Sequence, residues 1–127
     1  MITKTLMITC NLFDATARIQ AQLGDEGFAR DFLPMLRLIH HNLAQGPNPD
    51  ISIPLVDALE WGFHSPAQPI VETIIQSQGF DWRFITGRRR QFKALAAGEA
   101  IPPPVSALWH RALEKSRAIV ANHQEAG

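Results

Sequence analysis

The residues best suited to chemistry lie together, in the stretch Gly79–Gly98 (GFDWRFITGRRRQFKALAAG). It sets Arg83, Arg88, Arg89, Arg90 and Lys93 among Trp82, Phe84, Ile85 and Phe92, with no acid between Asp81 and Glu99. Guanidinium and ammonium groups neutralise phosphates, and neighbouring aromatic rings stack on unpaired bases. The pattern therefore predicts a basic–aromatic patch, Trp82, Arg83, Arg88, Arg89, Arg90 and Lys93, that contacts nucleic acid. The same residues also suit a solvated helix face with the rings turned into the core, or a patch that docks on an acidic protein.

Other constellations carry less. His40 and His41 are adjacent, so on a helix they point about 100° apart and cannot easily chelate one ion. His64, His110 and His123 fall in different segments, so no metal site is expected. Asp57 and Glu60 are spaced for acid–base work but fit the outer face of an amphipathic helix. Cys10 has no cation beside it in sequence to activate it as a nucleophile. No nucleophile elbow, glycine-rich phosphate loop or dinucleotide fingerprint occurs, which points to a non-enzymatic protein without a cofactor.

Composition sets the frame. The chain has 127 residues, 46% of them hydrophobic and 19% charged, as expected of one globular domain. A single cysteine excludes a disulfide framework within the chain and fits a reducing, cytoplasmic setting. The opening MITKTLMITC is too weak for a secretory signal, and no apolar run reaches the ~18–20 residues of a membrane span. Twelve cations balance twelve anions, which argues against a protein that coats DNA. The charges are nevertheless segregated: residues 47–82 carry only acids, and 83–117 are mostly basic. Such a division also permits self-association, acids of one copy meeting arginines of another.

The elements that must position these residues read as helices. Residues 1–10 have strand-like composition without a partner strand, and an extended arm or a lead-in to a helix is expected. Asn11 is placed to cap a helix over Leu12–Leu23, with Gly24 as its stop and Asp25 capping the next. Phe28, Phe32, Met35, Leu36, Ile39 and Leu43 form the clearest helical stripe, interrupted by Pro34. A short helix Ile53–Trp61 ends at Gly62, and Ser65-Pro66 opens another that reaches Gln78 and stops at Gly79. Two helical pieces are expected at Asp81–Thr86 and Arg88–Ala97. With Ser65–Gln78 they give the outline of a helix-turn-helix, which Gly87 inside the recognition helix weakens. Residues 99–105, with Pro102-Pro103-Pro104, suggest an extended linker, Ser106–Asn122 a closing helix and 123–127 a frayed tail. The expectation is one all-α domain, an irregular bundle of five to six short amphipathic helices.

Overall fold

The computed structural model describes residues 2–45, 52–80 and 103–123. The fold is all-α, and no strand occurs among the described residues. In chain order the helices are α1 (Ile2–Asp14), α2 (Thr16–Leu23), a short α3 (Asp25–Gly27), a π-helical stretch (Phe28–Phe32) and α4 (Leu33–Ala44). After them come α5 (Ser52–Phe63), α6 (Gln68–Gln76) and α7 (Pro103–Asn122).

The amino terminus departs most from expectation. Residues 2–10 form no extended arm but most of α1. Leu6, Ile8, Thr9, Cys10, Leu12 and Phe13 are all buried, so the helix is enclosed on nearly every side. Packing against α7, α6 and α2 overrides the strand preference of its β-branched residues. Asn11 lies inside α1 rather than capping a helix, and its side-chain amide donates to Ser77 Oγ at 3.1 Å. The chain bends instead at Ala15, where backbone bonds from Ala15 to Asn11 and from Ile19 to Ala15 link α1 to α2.

Gly24 ends α2 as expected, at φ 78°. Asp25 makes no side-chain cap; its carboxylate accepts a bond from Gln20 Nε2 at 2.9 Å. From there residues 25–44 run as one rod that buries Phe28, Phe32, Leu36, Ile39 and Leu43. Pro34 does not break it. Proline has no N–H to give to the carbonyl four residues back, and its ring would collide there. The π-helical stretch lies immediately before it, with Leu33 N–H donating to the carbonyl of Phe28, five residues away.

Gly62 does not end α5 either. A β-carbon there would lie 2.7 Å from Val71 Cγ2 and 3.5 Å from Phe32, so glycine lets α5 approach α6 and the rod closely. The Ser65 signal holds with a small shift. Its hydroxyl donates to the Gly62 carbonyl and accepts from the Ala67 N–H, and α6 begins at Gln68. At the far end Phe80 N–H bonds Ile75 O and Gly79 N–H bonds Gln76 O, with Gly79 at φ 80°. That is a Schellman stop, and it needs a residue free to take positive φ.

Residues 103–105 are the first turn of α7, not linker. The first N–H groups of a helix have no partner within it, so Pro103 and Pro104 forfeit nothing there. His123 is held rather than frayed: its ring lies 5.2 Å from Phe28, and its carbonyl accepts from Arg37 Nη2 at 3.2 Å.

α7 closes the core. Trp109 is buried, and its indole N–H donates to Leu43 O at 3.2 Å, satisfying a carbonyl at the end of α4. One heptad further on, buried Ser116 donates to Leu113 O at 2.8 Å and lies 2.7 Å from His40 Nδ1. The Ser116 hydroxyl thus ties the α7 backbone to the His40 ring.

Candidate functional site

Trp82, Arg83, Arg88, Arg89, Arg90 and Lys93 lie outside the described residues, as does the second half of the helix-turn-helix outline. The charge around them can still be compared with the rest of the chain. Five of the twelve cations fall within residues 83–93. In the described helices Arg30 pairs with Asp31, Lys115 with Asp14 and Arg117 with Glu114. Arg37 is bonded to the His123 carbonyl, while Arg18 and Arg111 are exposed.

A second site is formed by the folded helices themselves. A cavity of about 620 Å³ opens between the 25–44 rod and α5. One wall is a single face of α5, with Asp57, Glu60 and Trp61 at i, i+3 and i+4, continued at i+7 by His64 in the turn that follows the helix. Gly27, Arg30, Asp31 and Met35 face it from the rod. Leu23 ends the apolar floor, and Ser65 and Pro66 close one side.

Each wall is fixed from behind. Trp61 is half-buried, its ring 5.7 Å from that of Phe32, which in turn lies 6.0 Å from Phe28. An aromatic row thus runs from His123 through the π-helical stretch to the cavity wall. Within that stretch Arg30 grips its neighbour Asp31 through two bonds, Nε to Oδ1 at 3.0 Å and Nη2 to Oδ2 at 2.9 Å. This fork holds the Asp31 carboxyl below its ordinary range and raises the guanidinium above its own. Asp57 and Glu60 are half-buried, not on an open outer face, and Asp57, Glu60 and His64 each have a further partner.

The sequence displayed the α5 face through its spacing but gave no reason to look across at Gly27, Arg30, Asp31 and Met35. Gly27, Arg30 and Asp31 lie off the apolar stripe of the rod, and Met35 belongs to that stripe and reads as core in the sequence.

Among the described residues no group of three His, Cys, Asp or Glu side chains is placed to hold a metal ion. Nor is any described helix long and apolar enough to cross a membrane. Cys10 is buried, and desolvation pushes its thiol up from the ordinary value despite the nearby charge of Lys115, so it is a packing residue. No protein-family model, curated protein or solved structure matches the chain. The functional reading therefore rests on the residues themselves.

Proposed function

We propose that this chain is a small, cytoplasmic, non-enzymatic regulatory protein that contacts nucleic acid through Trp82, Arg83, Arg88, Arg89, Arg90 and Lys93. The observation that carries the reading is the division of charge. Most cations of the described helices already have acidic or carbonyl partners, whereas residues 83–93 concentrate five cations without an acid. Such a segment neutralises phosphates, and Trp82 or Phe84 supplies a ring for stacking. The test is a titration of the chain with short single- and double-stranded oligonucleotides at two salt concentrations. Binding that weakens steeply with salt, and that is lost in Arg88→Ala/Arg89→Ala/Arg90→Ala, supports the proposal. Undiminished binding by that triple variant removes it.

A second reading, an adaptor or inhibitor that docks on a protein or on another copy of itself, is favoured by one observation. Asp57 and Glu60 share the cavity-lining side of α5 with the half-buried Trp61, an acidic–aromatic surface suited to a basic partner. A protein interface of that kind, centred on apolar contact, weakens less with salt than phosphate binding does.

A further inference from the structure

The outer side of α4 joins apolar and basic residues in one stripe. Pro34, Arg37, Leu38 and His41 stand at i, i+3, i+4 and i+7, so they share a face, and all four are exposed. Leu38 is 52% exposed, and Pro34 lies one turn before it, so two apolar side chains rather than one meet the solvent here. The charge beside them is positive. α4 contains no acid. Arg37 gives one bond, from Nη2 to the His123 carbonyl at 3.2 Å, and meets no carboxylate among the described residues, so most of its N–H groups stay open. The neighbouring acids are already engaged: Asp31 in the fork with Arg30 one turn before Pro34, and Glu114 with Arg117 on α7. Nucleic acid asks for a denser row of cations and a ring to stack on. This face offers an arginine and an aliphatic anchor, which together fit an acidic protein segment.

We propose that the outer face of α4 is a docking surface for an acidic segment of a partner protein that carries an aliphatic side chain. The aliphatic group packs on Leu38 and Pro34, and the carboxylates beside it accept from Arg37 and His41. A contact of this size belongs to weak, transient encounters. The residues are separate from those proposed to meet nucleic acid and from the cavity-lining side of α5, so each reading can fail alone.

The test uses the full chain and three acetylated peptides of equal length: a repeat of Glu-Glu-Leu, the same repeat with serine for leucine, and the same with lysine for glutamate. Binding is followed by NMR at the backbone amides of Arg37 and His41 and at the Leu38 methyl groups, the latter assigned by their disappearance in Leu38→Ser. The Glu-Glu-Leu peptide is expected to shift these signals saturably with Kd of about 1 mM. The serine peptide should bind about tenfold more weakly, and the lysine peptide not at all. Arg37→Gln removes the charge but keeps a donor for the His123 carbonyl, and it should weaken the Glu-Glu-Leu peptide about fivefold. Leu38→Ser should weaken it about tenfold. Equal affinity for the acidic and basic peptides overturns the proposal, as does affinity unchanged in both variants. So does the absence of a saturable shift up to about 10 mM of the Glu-Glu-Leu peptide. A short oligonucleotide that moves the same signals at lower concentration than the peptide also overturns it, since the face would then meet phosphates.

Discussion

α1 and α5 are similar in length, 13 and 12 residues, and both are rich in apolar side chains, yet they occupy opposite environments. α1 is enclosed by α7, α6 and α2. α5 buries Leu55, Val56, Ala58 and Leu59 but keeps Asp57, Glu60 and Trp61 along a cavity, with His64 in the turn just beyond it. The difference lies in where the polar residues fall. The turns of α1 that carry Leu6–Phe13 contain no charged residue, and only the half-buried Met7 and Asn11, in line with the exposed Asp14, leave a narrow strip toward water. In α5 the acids and the tryptophan recur at helical spacing, and one face stays open. An interior helix is defined by contacts on all sides, and a site helix by one face withheld from the core.

The largest expected effect breaks the closed region. Trp109→Ala removes a buried indole and leaves the Leu43 carbonyl without its donor. It should cost about 3–5 kcal/mol, measured by urea denaturation. α1 and α4 are the helices whose hydrogen exchange should rise most, because both pack on α7.

Next comes the contact that brings α5 close to its neighbours. Gly62→Ala sets a methyl group 2.7 Å from Val71 Cγ2, which should destabilise the fold by about 1–3 kcal/mol. Val71→Ala makes room for that methyl. The double variant should therefore be less destabilised than the sum of the two single changes, by about 0.5 kcal/mol or more. Strict additivity would show that Gly62 does not act through Val71.

A backbone test is smaller. Gly79 takes φ 80° with nothing within 4 Å of where a β-carbon would lie, so Gly79→Ala meets only conformational strain, about 1–2 kcal/mol. Gly79→Asn should recover part of it, since asparagine tolerates the left-handed region.

The smallest effect is one of pH, at the α4–α7 contact. Desolvation, then the charges of Arg117 and His41, lower the pKa of His40 below its ordinary value. The fold therefore favours neutral His40. Its contribution to stability is fully present above the unfolded pKa near 6.5 and is lost as pH falls from there toward the lower folded value. His40→Asn keeps a hydrogen-bonding side chain near Ser116 without titrating, so its stability should fall less between about pH 7 and 5 than that of the parent chain.

The helical signals legible in sequence were those with a local cause. The stripe from Phe28 to Leu43, the stops at Gly24 and Gly79 and the start near Ser65 all depend on residues within a turn or two. The misread features depend on distant neighbours. α1 is helical because α7 and α6 cover it, and Gly62 is a point of close approach because Val71 stands opposite. Pro103 and Pro104 begin α7 because a helix start tolerates what an interior does not. Ser116 escaped notice because a serine in the apolar seam of α7 acquires meaning only when His40 faces it. The cavity was half legible: the α5 face is periodic in the sequence, whereas its counterpart across the gap is a matter of packing.

The central proposal is that the cations of residues 83–93 meet phosphates and that the α5 carboxylates take no part in this. The most direct measurement compares the salt dependence of oligonucleotide binding for the parent chain, Arg88→Ala/Arg89→Ala/Arg90→Ala and Asp57→Asn/Glu60→Gln. With up to five phosphate contacts the parent's log K should fall against log salt with a slope of roughly −3.5 on single strands. The arginine variant should be shallower by about two, and the α5 variant should keep the parent's slope. No binding by the parent at low salt, or a slope that responds to the α5 carboxylates and not to the arginines, would contradict it.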